Sequence, residues 1–358
     1  MAHELLIEDG EAAMFYVGDP PWHGLGQRLD RPATAARAIA AARLDWRVRK
    51  VPLYVAGGNR LHEVPGKYAV VREDLVGSKD CRALGIVGEP YRVLQNRDAF
   101  RFFDPIVGEG AAVYHTAGAL GAGERVWILA KLPGEIRVAA RDAVEKYLLL
   151  ANSHDGSSAV QVTFTPIRVV CQNTLAMALG ARAAYRARHD RDLFAGLHDV
   201  RRAMGLITAR YDAIGAAFDA LARVEMDAAA VKAYAADVFP PPADVDDERA
   251  WERVDAQRYW TARLFEHGAG NDAPGVAGTL WAAYNAVTEL VDHGSGRLAG
   301  PRAAANGRSA PAPGGPPRQL PPERRLESCW FGAGRRTKLH AWEAAVKVAN
   351  RKGQRVPA

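Results

Sequence analysis

Tyr147-Leu-Leu-Leu-Ala-Asn-Ser-His-Asp-Gly-Ser-Ser158, followed by Ala159-Val-Gln-Val-Thr-Phe-Thr165, is the stretch that decides how this chain folds. An apolar run stops at His154-Asp155-Gly156-Ser157, and an alternating run leads away from it. Asp-Gly between two such runs marks a β-hairpin, because the turn needs a residue that accepts positive φ. Pro166 interrupts the second strand, which places that point at an edge or a bulge. Upstream, Arg125-Val-Trp-Ile-Leu-Ala-Lys131 reads as another strand, expected to end at Pro133-Gly134. Residues 113–119 read as its neighbour, joined through Gly121-Ala-Gly123. Residues 96–107 place Phe100 and Phe103 on one helical face. Downstream, residues 167–171 are extended, and Asn173 or Thr174 is expected to cap a helix running to about residue 187. Consecutive strands bounded by helices imply an antiparallel sheet with helices on one face. The expected class is therefore α+β, with an antiparallel β-β-β-α core in the N-terminal half and a helical region after it.

Further out, Pro20-Pro-Trp-His-Gly-Leu-Gly26 is turn-rich, and Trp22 reads as a plug over the core or a platform for a base. Residues 34–44 read as a helix capped by Thr34, residues 46–55 as a strand, and Gly57-Gly-Asn59 as a turn. Lys67-Tyr-Ala-Val-Val-Arg72 is a second strand. Residues 190–239 carry Met204, Ile207, Tyr211, Ile214, Phe218 and Leu221 at helical steps, and Pro240-Pro-Pro242 stops them. Residues 248–266 and 278–292 are further helices. Residues 294–323 are rich in Pro, Gly, Ala and Arg and cannot bury enough apolar surface to order themselves. A short basic helix over about 335–352 follows, with Trp330-Phe331 expected to dock back on the body. The expected organisation is a core domain over 1–190, helices packed on it over 191–293, a disordered linker over 294–323 and a docking segment over 324–358.

The chain has 358 residues, 48% of them hydrophobic, enough to bury one full core or two smaller ones. No apolar run reaches the roughly 20 residues a membrane helix needs, and the N-terminal stretch lacks a signal-peptide pattern. The expected location is cytoplasmic, with no membrane partner. Cys81, Cys171 and Cys329 are too scattered for a disulfide framework or a zinc knuckle. Cys81 and Cys171 read as buried or half-buried thiols. A net charge of +6 favours nucleic acid over acidic partners, although Arg- and Ala-rich usage also follows from a GC-rich genome. No phosphate-binding loop and no dinucleotide fingerprint is present. No cofactor and no metal is expected.

Two constellations carry chemistry. In Asn152-Ser153-His154-Asp155-Gly156, the His-Asp pair suits a general base or metal ligands. The same residues suit a phosphate- or base-contacting turn, or a hairpin whose side chains bond the local backbone. In Arg168-Val-Val-Cys171-Gln172-Asn173-Thr174, a strand would lead into a helix whose N-terminal N–H groups favour phosphate, with Arg168, Gln172 and Asn173 completing the site. A capped helix with a structural arginine is the alternative. Trp281, Tyr284, Thr288 and Val291 share one helical face and read as core.

Three segments together resemble one family. They are Trp22-His-Gly-Leu-Gly26, the run from Tyr147 to Ser158 with Arg168 to Leu175, and Gly278-Thr-Leu-Trp-Ala-Ala-Tyr-Asn-Ala-Val-Thr-Glu-Leu-Val-Asp-His293. The chain resembles the phage- and plasmid-associated proteins of "domain of unknown function 932". The resemblance implies a mobile-element setting and no settled activity. The helix–strand–strand–strand–helix order is also similar, in topology alone, to the single-strand annealing recombinases of the RecT, Red-beta and eukaryotic annealing-mediator group. From these readings the expected function is binding of single-stranded DNA, with annealing of complementary strands in recombination or replication. The expected contacts are Arg168, Gln172, Asn173, His154, Lys131 and Arg125. Annealing needs no active site but calls for a homo-oligomer. The alternatives are a metal-dependent or hydrolytic enzyme centred on His154 and Asp155, and a host-directed interaction or anti-defence protein.

Overall fold

The computed structural model describes residues 5–18, 25–108, 112–168, 173–174, 184–190, 193, 207–294, 328 and 332–357. The chain forms two compact units. The first comprises Met1–Pro133, Tyr147–Phe164 and Arg182–Leu206, and the second Gly134–Lys146, Thr165–Ala181 and Ile207–Ala358.

The first unit opens with β1 (Ile7–Glu8), β2 (Glu11–Ala12), β3 (Met14–Val17) and β4 (Gln27–Leu29). Helix α1 (Ala35–Ala41) follows, its N-terminus capped by Thr34, whose side chain accepts from Arg37 N. Next come β5 (Val48–Gly57), β6 (Arg60–Arg72), β7 (Ala83–Gly88), α2 (Asn96–Gly108), β8 (Val113–Leu120) and β9 (Arg125–Val138). The chain continues through β10 (Asp142–Ser153), β11 (Val160–Phe164), β12 (Ile167–Arg168), β13 (Asn173–Thr174) and β14 (Ala184–Ala187).

The pairing is antiparallel throughout the core hairpins: β3 with β8, β8 with β9, β10 with β11 and β11 with β14. Only β3 and β4 run parallel among these strands. Phe15, Tyr114, Trp127, Ile128 and Leu150 are buried, and the fully buried Phe100 and Phe103 of α2 pack on the Tyr114 ring. The α+β reading holds, with antiparallel strands in the N-terminal half and helices in the C-terminal half.

Strand β9 runs on through Pro133-Gly134 to Val138 rather than ending there. Gly134 takes φ +72°, so the strand bends instead of stopping, and the boundary between the two units falls at this dipeptide. Pro166 separates β11 from β12, and both pair with β10, as a bulged strand would. Asn173 and Thr174, expected to cap a helix, are strand and pair with Ile167 and Arg168 in a small antiparallel ladder, while residues 175–183 lie outside the described residues. Residues 184–187 are likewise strand, not helix.

β5, β6 and β7 form a separate three-stranded sheet. Strand β7 covers only Lys67–Val71 of β6, so the end of the β5–β6 hairpin has no third strand. Pro52 pairs with Tyr68 but Tyr54 pairs with Glu63, so a bulge over residues 64–67 of β6 separates the tip from the sheet. All the side chains from Tyr54 to Glu63 are exposed.

The second unit holds α3 (Ile207–Ala222), α4 (Ala228–Val238), α5 (Glu248–His267), α6 (Leu280–His293) and α7 (Ala333–Arg351). The helical stretch expected over residues 190–239 is therefore two helices where it is described, the second capped by Asp227. Between them the chain is extended and pairs with the residues before α6: Met226 N donates to Gly278 O and Leu280 N to Val224 O. Helix α6 is buried on every face from Leu280 to Thr288, so it is the axis of this unit. Phe218, Trp281, Tyr284 and Trp342 form one aromatic cluster, with ring centroids 4.5 to 6.0 Å apart. Trp281 Nε1 donates to the buried carboxylate of Asp142 (2.7 Å). Helix α7 packs on α6 and α4. Lys338 of this basic helix is buried and paired with Asp292 (2.7 Å). Trp330-Phe331, residues 295–323 of the expected linker and Trp22-His23-Gly24 lie outside the described residues.

Candidate nucleic-acid interface

His154 leaves β10 at the start of the Asp-Gly turn, and its side chain is fully buried. Its backbone N–H donates to Glu124 O (2.7 Å), tying this turn to the β8–β9 turn. Asn96 Nδ2 donates to Leu44 O (3.1 Å) and Trp46 O (3.4 Å). That leaves Asn96 Oδ1 to accept from His154 Nε2 (3.0 Å), so Nε2 carries the proton. The Trp46 ring stands edge-on to the imidazole, with centroids 5.5 Å apart. Burial, reinforced by His189, pushes the His154 pKa down to about 3, so the ring is neutral at physiological pH. Such a group holds elements together and presents no atom at the surface.

The rest of the turn bonds itself. Asp155 Oδ1 accepts from Ser157 N (2.8 Å) and from Ser153 Oγ, and Gly156 takes φ +75°. Tyr91 OH donates to Ser153 O (2.8 Å), and the Tyr91 ring stacks on His189 at 4.5 Å. Burial works to raise the Asp155 pKa. The bonds from Ser153 and Ser157, with nearby Arg125, outweigh it and hold the carboxyl below its ordinary value. Among the described residues no group of three or more His, Cys, Asp or Glu is arranged to hold a metal ion. The geometry is that of the local hairpin reading, not of an exposed His-Asp pair.

Of the six residues expected to contact nucleic acid, Arg125, Lys131 and His154 belong to the first unit, and Arg168 and Asn173 to the second. Arg125 and Lys131 are both half-exposed on β9, six residues apart, roughly 20 Å along an extended strand. His154 is buried in the same unit. Arg168 and Asn173 face each other in register on β12 and β13, in the second unit. Gln172 and Cys171 lie outside the described residues. Cys81, expected to be at least half-buried, is exposed, because it lies in the loop between β6 and β7 and not in either strand.

A different surface gathers exposed cations. Residues 46–72 carry Arg47, Arg49, Lys50, Arg60, Lys67 and Arg72 against one acid, Glu63. Three of these are engaged. Arg72 is buried over the Trp46 ring and pairs with Glu8 and Asp74, Arg47 pairs with Glu73, and Lys50 donates to Glu89 O. Arg49, Arg60 and Lys67 are exposed and form no ion pair among the described residues. The register puts Val51, Ala69 and Ile86 in one row across β5, β6 and β7, and strand alternation puts Arg49 and Lys67 on that same face. Neighbouring strands are about 4.8 Å apart, so this face is a compact basic surface with an apolar centre. Ile86 is 59% exposed there. The opposite face, with Val48, Val70 and Val87, is buried. Gly85 lets it approach closely: a Cβ there would stand 2.4 Å from the Asp155 backbone. The Ser153–Gly156 turn is thus a footing under the sheet. The cation density of residues 46–72 was visible in the sequence, but which cations are already paired was not.

A family model described as "Domain of unknown function (DUF932)" matches residues 83–313, well over half of the chain, beginning at the first residue of β7. No curated protein and no solved structure matches the chain. No helix among the described residues is long and apolar enough to cross a membrane.

Proposed function

This chain belongs to the DUF932 family, and on that premise we propose that it binds single-stranded nucleic acid on the outer face of the β5–β6–β7 sheet. One observation carries the reading: Arg49 and Lys67, exposed and without ion-pair partners among the described residues, flank the half-buried Val51 and the exposed Ile86 on one sheet face. Cations alone would suit any polyanion. Apolar side chains between them favour a strand whose base faces are accessible, since bases in a duplex are stacked away. Arg125, on a different strand of the same unit, is a second candidate contact. Annealing of complementary strands in the recombination or replication of a mobile element, by a homo-oligomer, is the finer proposal. A surface that holds phosphates and leaves hydrogen-bonding base edges free would serve it.

The reading supported here needs no catalytic group. The hydrolytic alternative draws no support from His154, which is buried and bonded to Asn96. The test is fluorescence anisotropy of the full chain with a labelled oligothymidine and with a duplex of equal length across a salt series. The single strand should bind more tightly, with affinity falling steeply as salt rises. Arg49→Gln with Lys67→Gln should flatten the logarithmic salt slope by about 1.4 for two lost phosphate contacts. Absence of binding at low salt overturns the proposal.

A further inference from the structure

Past the bulge, the β5–β6 tip is a two-stranded ribbon with both faces in solvent. Tyr54, Val55 and Leu61 are 49%, 54% and 72% exposed. Tyr54 pairs with Glu63 and Ala56 with Leu61, so Tyr54 and Leu61 are diagonal neighbours on one face. Val55 pairs with His62 and Gly57 with Arg60, so Val55, His62 and Arg60 share the other face. A Cβ at Gly57 would meet the His62 ring at 2.9 Å, so the ribbon is thin at its end. Tyr54 and Leu61 thus stand in water on a face shared with Glu63, and Val55 on the face that carries Arg60.

We propose that this tip is the base-contacting element of the protein: Tyr54 and Leu61 pack against unpaired bases on one face, while Arg60, on the other face at the end of the thin ribbon, meets the backbone phosphate. The inference rests on the nucleic-acid reading above and deepens it, because it assigns single-strand preference to a different set of residues from those that supply charge. The occupant follows from charge complementarity. The tip itself carries one cation, Arg60, and one acid, Glu63, but residues 46–72 as a whole carry six cations against that one acid, which suits a polyanion with flat apolar faces. In a duplex those faces are buried in the stack, so the tip stabilises the open strand relative to the paired one.

The experiment compares Tyr54→Ser with Leu61→Ser, made together in the full chain, against the Arg49→Gln, Lys67→Gln protein and the unaltered one. Both tip positions are exposed, and circular dichroism melts check that the fold is kept. The probe is an oligothymidine carrying one 2-aminopurine, whose emission reports stacking, with a matched duplex alongside. The tip variant is expected to lose roughly tenfold or more in single-strand affinity, with the salt slope and duplex affinity unchanged. It is also expected to lose the 2-aminopurine response. If the tip variant keeps its single-strand affinity while the charge variant loses its salt slope, the tip assignment is overturned and the binding surface stands. If the unaltered protein binds neither probe, both fall. If the tip substitutions change the sedimentation of the free protein and leave 2-aminopurine untouched, the tip is a contact between copies of the chain, which also overturns the assignment.

Discussion

Acid should unfold this protein partly through His154, and the structure sets the sign and the size. The ring is fully buried, its Nε2–H is committed to Asn96 Oδ1, and its pKa falls from an ordinary 6.5 to about 3. Between those values the unfolded chain binds a proton that the native state refuses. Stability therefore rises with pH: the contribution is fully present above about 6.5 and is lost as pH falls toward 3. One such site gives a slope of up to about 1.4 kcal/mol per pH unit, hence roughly 2–3 kcal/mol between pH 6.5 and 4.5. His189, also depressed chiefly by burial, acts in the same direction.

His154→Gln separates the two histidines, since a glutamine amide N–H can replace Nε2–H toward Asn96 and cannot titrate. Urea unfolding of both proteins between about pH 7.5 and 4.5 should show the variant losing less stability on acidification. The gap should open at about 1 kcal/mol per unit below 6.5. Contributions from His189 and the carboxylates are common to both proteins and cancel. Parallel pH profiles would refute the reasoning, because a histidine that charges freely in the native state cannot be buried and neutral.

Other expectations follow from single contacts. Lys338→Met breaks the buried ion pair with Asp292 and should cost about 3–5 kcal/mol in urea unfolding, while adding Asp292→Leu should recover most of it. A cost below about 1 kcal/mol would mean that helix α7 is not docked through this pair. Gly85→Ala drives a methyl into the Asp155 backbone, which cannot yield as a flexible side chain would, and should cost about 1–3 kcal/mol by thermal melt. Trp281→Phe removes the indole donor to Asp142 and should cost about 1–3 kcal/mol. An unchanged melting temperature in either case would contradict the packing described.

What was legible in the sequence was local. The Asp-Gly turn, the Phe100–Phe103 face, the Thr34 cap and the helices around Trp260 and Trp281 all follow from spacing over a few residues. What was not legible depends on partners far along the chain. His154 reads as a free base until Asn96, 58 residues earlier, is seen bonded to it. Lys338 reads as a tail cation until Asp292 is beside it. Asn173-Thr174 has the composition of a helix cap, and its strand pairing with Ile167 and Arg168 is not visible in that composition. The β5 and β6 strands were readable, yet that β7 stops short of the hairpin tip is a fact of pairing between segments, invisible to periodicity.

That uncovered tip also bears on why the nucleic-acid reading outranks a protective one. A strand with open edges invites pairing with other chains, and proteins guard such edges with charges, prolines and bulges. Arg60, Pro52, Pro65 and the bulge over residues 64–67 fit that purpose by themselves. Tyr54, Val55 and Leu61 do not, since exposed apolar side chains on a two-stranded ribbon increase the hazard and add little to a hairpin that is marginal alone. Edge protection accounts for the charges and leaves the ring unexplained. A ligand with phosphates and accessible base faces accounts for both.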